Sequence, residues 1–385
     1  MRIAYITETY PPELNGVALT AARTVRHLRE RGHAVDLIRP RQPDDATAAV
    51  ADEWLSAGCP IPLYPELRFG LAAPGALRRR YAQHAPDLVH LATPGPLAWA
   101  ALGAARAMGI PATSDFRTNF HQYSGYYHLG ALGSVILQVL RRFHNLTAKT
   151  FVPTRTVEHE LAAAGFHHLA VVGRGVDTER FRPERRSAEL RAEWGAVEGA
   201  PVLISVGRVA AEKNIALALS AFEVLRRRQP EARLVVVGDG PLRRRLEAAH
   251  PAVRFVGVQR GDALAACYAS ADLFVFPSLS ETFGNVTLEA LASGLPVVAF
   301  DTAAAAEHVA HGASGLLVSP GDERGFEATV MALAMQPQRL PAMGAQAVEA
   351  ARKIGWGDVL ARFERQLQDT IDACQTPPAA AAVVA

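Results

Sequence analysis

The chain alternates short, almost wholly apolar runs with longer stretches whose apolar residues recur every three or four positions. Arg2 to Thr7 reads as a buried strand, and Val17 to Arg31 as a helix with Val17, Ala21, Val25 and Leu28 on one face. Ala34 to Ile38, after Gly32, reads as a second strand, which completes a βαβ unit. The pattern returns in Asp87-Leu-Val-His-Leu, Val202-Leu-Ile-Ser-Val, Arg233-Leu-Val-Val-Val, Asp272-Leu-Phe-Val-Phe and Pro296-Val-Val-Ala-Phe, each followed by a helix-compatible segment. Such alternation predicts an α/β chain of parallel sheets covered by helices.

A length of 385 residues, 49% of them apolar, is enough for two cores. Polar and proline-bearing sequence between Phe181 and Gly199 interrupts the pattern just before a new strand, which puts the domain break near residue 180. The expected domains are 1–180 and 181–355. Residues 356–373 read as a late helix packing back on the first domain, and 374–385 as a frayed, low-complexity tail.

Charge adds little: 40 Lys and Arg against 38 Asp and Glu leave a formal +2, which does not call for nucleic acid as a partner. The three cysteines lack metal-ligand spacing and are odd in number, which fits a reducing cytoplasm. The N-terminal apolar run is too short for a signal peptide, and no window of about 20 apolar residues could span a bilayer.

In doubly wound sheets ligands sit beyond the carboxyl ends of the strands, so the loops there carry the candidate chemistry. After the first strand, Gly16 precedes a helix and leaves room for a phosphate or sugar against backbone N–H groups; a plain turn reads the same way. After Val202 to Val206 come Arg208 and Lys213, two cations that could clamp a diphosphate or simply face solvent. The stretch Ser280-Glu-Thr-Phe-Gly-Asn-Val-Thr-Leu-Glu289 follows a buried strand and opens a helix near Asn285 or Val286, which closes at Gly294. Amides of Gly284 to Thr287 at that helix start favour an anion such as phosphate. Glu281 before the helix suits a sugar's hydroxyls, and Glu289 one turn inside suits the paired hydroxyls of a ribose. Both acids could instead serve only the helix start.

The pair Glu281 and Glu289 within Pro277-Ser-Leu-Ser-Glu-Thr-Phe-Gly-Asn-Val-Thr-Leu-Glu-Ala-Leu resembles the most diagnostic stretch of the family 4 glycosyltransferases. Supporting matches are Thr9-Tyr-Pro-Pro-Glu-Leu-Asn-Gly-Val, residues 173 to 183, Gly207-Arg-Val-Ala-Ala-Glu-Lys-Asn and Val237-Gly-Asp-Gly-Pro. The resemblance implies the GT-B fold, two Rossmann-like doubly wound parallel-sheet domains facing each other across a cleft. It also implies a retaining hexosyltransferase that draws mannose or glucose from a UDP- or GDP-linked sugar, with no further cofactor. Carried over by position, Arg208 and Lys213 would hold the diphosphate, and Glu281 the transferred sugar. Phe283, Gly284, Asn285 and Val286 would line the sugar and phosphates, Glu289 would take the ribose, Val258 would lie by the base, and Gly16 would approach from the first domain. Many relatives carry a Ser-Tyr-His-Thr-Asp-like run in that domain, but here Arg117 occupies the histidine's place and His121 follows one helical turn later. Both are candidate catalytic residues with Glu281. No Asp-x-Asp occurs, so metal independence is expected.

The acceptor is a lipid or a glycan. The resemblance leans toward mannosyl-, diacylglycerol and sulfolipid transferases, and Val135, Val139, Arg141, Arg142 and Phe143, with Leu71 and Arg78 to Arg80, offer a basic and apolar surface for the inner face of a membrane. An epimerase of the same architecture, consuming donor without acceptor, is the alternative; a non-catalytic sugar-binding role is another. Hydride transfer is disfavoured because Gly238-Asp-Gly240-Pro lacks a third glycine and has proline where the helix should open.

Overall fold

A computed structural model describes residues 1–13, 16–43, 45, 52–61, 64–116, 130–281 and 283–375, excepting the side chains of 61, 64–67 and 130–133. The chain divides into two compact units. One comprises Met1–Pro153, Val157–Val172 and the chain from Leu360 on; the other comprises Thr154–Thr156 and Gly173–Val359. The first unit thus closes a little ahead of residue 180.

In the first unit the described strands are β1 (Arg2–Ile6), β2 (Ala34–Pro40), β3 (Glu53–Ile61), β4 (Tyr64–Leu71), β5 (Leu88–Leu91), β6 (Ala112–Asp115), β7 (Lys149–Val152) and β8 (Leu169–Val171), in the order β4-β3-β2-β1-β5-β6-β7-β8. All neighbours run parallel except β3 and β4, an antiparallel pair that departs from the all-parallel expectation. Strand β6, Ala-Thr-Ser-Asp, reads polar yet is fully buried. Its side chains have internal partners: the Ser114 hydroxyl lies 2.8 Å from His144 Nδ1, and Asp115 Oδ2 lies 3.3 Å from His90 Nε2. Burial pushes the His144 imidazole down to about pKa 3, so that ring is neutral.

The terminal helix Trp356–Gln375 belongs to this unit from Leu360 onward. Phe363, Leu367 and Ile371, at i, i+4 and i+8, are buried, and Phe363 meets His90 and Phe151 edge-on at 5.0 and 5.2 Å. Glu364 beside it accepts hydrogen bonds from His27 and His33 at 3.2 and 2.8 Å.

The second unit holds β9 (Val202–Val206), β10 (Arg233–Val237), β11 (Arg254–Gly257), β12 (Leu273–Phe276), β13 (Val297–Phe300) and β14 (Gly315–Val318), all parallel, in the order β11-β10-β9-β12-β13-β14. Order reverses between β9 and β12, and at that switch point the two strand-end loops diverge from neighbouring strands, where a doubly wound sheet offers its crevice. The segment before β9 is anchored at the opposite end: Arg186 and Arg191 reach Asp272 at 2.7 and 3.0 Å, and Asp272 also accepts the Val202 amide at 2.8 Å.

Candidate active site

The loops after β9 and β12 are bonded to each other. The Leu279 amide donates to the Glu212 carbonyl at 3.0 Å, and the Lys213 ammonium donates to the Glu281 carboxylate and, at 3.3 Å, to the Ser280 carbonyl. A buried hydroxyl, Ser278 Oγ, donates to the same Glu281 oxygen at 2.9 Å. Lys213 and Glu281, expected to serve phosphate and sugar separately, are therefore partners of each other here. Arg208 is more exposed, with Nη1 3.6 Å from Glu212 Oε1. The loop after β10 packs against this pair of loops: the Val209 amide donates to the Asp239 carbonyl at 2.9 Å, and a Cβ on Gly238 would stand 1.9 Å from the Gly207 carbonyl oxygen. Only glycine permits that approach.

Helix Asn285–Ala292 opens directly after Gly284, whose φ of +94° is left-handed. Among the described residues no acceptor takes the amides of Gly284, Asn285 or Val286, whereas the Thr287 amide turns inward to the Gly284 carbonyl at 3.0 Å. The anion-binding set is thus narrower by Thr287 than the sequence suggested. Asn285 Oδ1 is enclosed and has no donor among the described residues, an orphaned acceptor of the kind a hydroxyl ligand satisfies. A small pocket near the start of the same helix is lined by Glu281, Phe283, Gly284, Thr287, Thr302 and Ala303. The Phe283 ring itself is buried, while its carbonyl accepts the Ala304 amide at 2.7 Å.

Glu289 lies one turn into the helix. Burial raises its carboxyl to about pKa 7, opposed by a hydrogen bond from the Tyr268 hydroxyl to Oε2 at 3.0 Å. Val258, just past β11, exposes more than half of its side chain at the carboxyl edge of the same sheet. The second unit therefore brings Arg208, Lys213, Glu281, Phe283, Gly284, Asn285, Val286 and Glu289 onto contiguous strand-end loops and one helix, with Val258 two strands away from β9.

Gly16 begins helix Gly16–Glu30 of the first unit, where its carbonyl accepts the Thr20 hydroxyl at 2.7 Å. Arg117 and His121 lie outside the described residues. Of the expected lipid-facing surface, Val135, Val139, Arg141, Arg142, Leu71, Arg78 and Arg79 are exposed. Two members are corrected: Phe143 is fully buried against Trp99, and Arg80 is held by Asp36 at 2.8 Å. Phe143 stands at the flank of that helix, beside buried Leu140 and His144, where Trp99 covers its ring.

Sequence reasoning missed Ser278 and Tyr268. Ser278 lay three residues before Glu281 and could have been read; Tyr268 is 21 residues from Glu289 and has no spacing signal. Among the described residues no cluster of three or more His, Cys, Asp or Glu could hold a metal ion, and no helix is long and apolar enough to cross a membrane.

Residues 14–180 match the family model described as Glycosyltransferase Family 4, and residues 200–336 the model described as Glycosyl transferases group 1. The chain is 36% identical over 340 residues to a GDP-mannose-dependent alpha-mannosyltransferase of Mycolicibacterium smegmatis, covering 86% of this chain and 87% of the relative. It is 31% identical over 363 residues to a GDP-mannose-dependent alpha-(1-6)-phosphatidylinositol monomannoside mannosyltransferase of Mycobacterium tuberculosis, covering 89% and 92%. A solved sucrose-phosphate synthase of Thermosynechococcus elongatus shares the fold at TM-score 0.76 and 19% identity, over 97% of this chain and 100% of that one. With two sheets of the GT-B fold, this chain belongs to glycosyltransferase family 4 and is a hexosyltransferase.

Proposed function

We propose that the chain moves mannose from GDP-mannose to a lipid acceptor, with retention at the anomeric carbon and without a metal ion. The observation that carries this reading is the Lys213–Glu281 pair at the mouth of helix Asn285–Ala292. A cation and a carboxylate, each the other's partner, stand beside amides that lack an acceptor among the described residues, so a phosphate-linked sugar satisfies all three at once. In this reading Arg208, Lys213 and the amides of Gly284 to Val286 take the diphosphate. Glu281 and Asn285 take sugar hydroxyls, Glu289 the ribose, and Val258 the base. As the bond from the anomeric carbon to phosphate breaks, negative charge grows on the diphosphate, and donors already aimed there stabilise it without reorganising. Gly16, Arg117 and His121 are proposed to act from the first unit.

The names of the two relatives support GDP-mannose as donor, and the second of them supports a lipid acceptor. Val135, Val139 and Arg142 on helix Gly130–Asn145 are exposed at i, i+4 and i+7, an arrangement suited to docking on an anionic membrane. Incubating the protein with GDP-mannose or UDP-glucose, with and without lipid acceptor, in the presence of EDTA tests this. Mannosyl lipid should form only with GDP-mannose and acceptor. Donor conversion without acceptor, or a requirement for added magnesium or manganese, counts against it.

A further inference from the structure

Tyr268 is fully buried on helix Gly261–Ser270, with its ring edge-on to Phe181 at 5.8 Å and tilted against Phe274 at 5.8 Å. Its hydroxyl has one hydrogen bond among the described residues, to Glu289 Oε2 at 3.0 Å. A buried phenol needs a partner, and a side chain held between two aromatic rings delivers that bond from one direction. Glu289 itself keeps partial exposure, and the Tyr268 bond to Oε2 leaves Oε1 with no donor among the described residues. One carboxylate oxygen is therefore tied to the core while the other is left for a ligand.

We propose that Tyr268 is a positioning residue for nucleotide binding: its hydroxyl fixes the Glu289 carboxylate so that the ribose diol of the donor finds an oriented acceptor. This rests on helix Asn285–Ala292 being the donor site. A carboxylate has about four lone-pair directions, so one phenolic donor leaves room for two ribose hydroxyls. The same bond acts on charge. Burial raises the Glu289 carboxyl to about pKa 7 and the Tyr268 bond works the other way, so the phenol keeps more of the carboxylate ionised near neutral pH.

The surroundings leave this pair to titrate largely by itself. Cys267 is the other titratable group bearing on Tyr268 from its own helix. Helix Leu340–Arg352 turns buried Gly344, Ala347 and Ala351 inward, and the turn Pro183–Arg185 sends Arg185 to Asp262 at 3.6 Å. Helix Ala303–His308 sets His308 against the Phe283 ring, and its Glu307 accepts the Arg155 amide.

The test is calorimetric binding of GDP and of inorganic pyrophosphate, which has no ribose, to wild type, Tyr268→Phe and Glu289→Gln between pH 5.5 and 8.5. In wild type, GDP affinity should rise as pH passes about 7, since only the ionised carboxylate accepts from both ribose hydroxyls. Tyr268→Phe should weaken GDP about tenfold, equal to about 1.4 kcal/mol, and move that midpoint upward, with pyrophosphate affinity unchanged. Incorporating 3-fluorotyrosine at position 268, a more acidic phenol in the same volume, should move the midpoint down and keeps the question answerable if Tyr268→Phe folds poorly. Equal weakening of GDP and pyrophosphate, or an unmoved midpoint in both variants, overturns the proposal. A Glu289→Gln variant with wild-type GDP affinity instead removes the donor-site assignment on which it rests.

Discussion

Lys213 and Glu281 are 68 residues apart in sequence and ion-paired in the fold, with 18% and 13% of their side chains exposed. Their enclosure makes each the cause of the other's placement. Removing either partner strands a charge in a site with little water, and removing both does not. Glu281→Gln and Lys213→Met should each lower stability by about 2 kcal/mol, under the 3–5 of a fully enclosed pair. The double variant should lose clearly less than the sum. Denaturant titration of the four proteins gives the coupling. All three variants should lose about a hundredfold or more in transfer, because an orienting donor to developing charge has gone or has lost its partner. Additive stabilities, or a single variant with near wild-type turnover, would show that the pair is incidental.

Two glycines of the site should answer differently to the same methyl group. At Gly238, φ is +138° and the new Cβ would sit 1.9 Å from a backbone oxygen, so two loops must separate. Gly238→Ala should fail to accumulate as folded protein. At Gly284, φ is +94° but the nearest atom, Glu281 Cγ, is 3.6 Å away. There the cost is conformational alone, about 1–2 kcal/mol, and Gly284→Ala should fold. Its KM for the donor should rise, because the methyl group fills space at van der Waals distance from the Glu281 carboxylate that the proposed donor would occupy. A well-folded Gly238→Ala protein, read by thermal melting, contradicts the packing described for the three loops.

Much of this was open to reading in the chain and some was closed for physical reasons. Strands β9, β10 and β12 declare themselves because they are buried on both faces and so are apolar at nearly every position, Ser205 and the opening Arg233 being the exceptions. β6 does not, because Ser114 and Asp115 each find a hydrogen-bond partner, in His144 and His90, residues brought in by a helix and another strand. β3 carries Gly58 and Pro60 and shows no clean alternation, so neither it nor its antiparallel neighbour could be anticipated. At the site, Arg208, Lys213, Glu281 and Glu289 could be named from motif and position. That Lys213 would be engaged by Glu281, or that Tyr268 would reach Glu289, depends on strand order, which spacing does not encode.

Glu8, at the end of β1, titrates in an unusual range for the opposite kind of reason, a structural one. Its carboxylate accepts the Leu97 amide at 2.9 Å and the Gly70 amide, and so serves the start of helix Pro96–Ala107, which has no side-chain cap of its own. Burial raises its carboxyl from 4.5 to about 7, against the lowering effect of those amides. A raised folded pKa means the contribution to stability is complete below about 4.5 and is lost as pH rises through about 7. At pH 8 the difference is about 3 kcal/mol. Glu8→Gln, neutral throughout, should flatten the fall in stability between pH 5 and pH 8 without abolishing it, since Glu289 titrates in the same window. Denaturation curves across that range check it; an identical slope in wild type and variant contradicts the burial argument.

The exposed stripe on helix Gly130–Asn145 leads to the last prediction. Leu140, Phe143 and His144 face inward, which leaves Val135, Val139 and Arg142 outward on a single face. Two apolar side chains and a guanidinium are a weak anchor: each valine contributes about 1.5 kcal/mol when fully withdrawn from water and a cation about 1 near an anionic surface. Binding should therefore be reversible, stronger on vesicles rich in anionic phospholipid than on zwitterionic ones, and reduced by salt. Val135→Asp with Val139→Asp should abolish co-sedimentation and slow transfer to acceptor presented in vesicles, because it removes apolar contact and adds repulsion. GDP affinity should not move, since neither valine belongs to the donor loops. If the double variant still sediments with anionic vesicles, lipid is met by another surface; if wild type does not sediment at low salt, the acceptor is reached from solution.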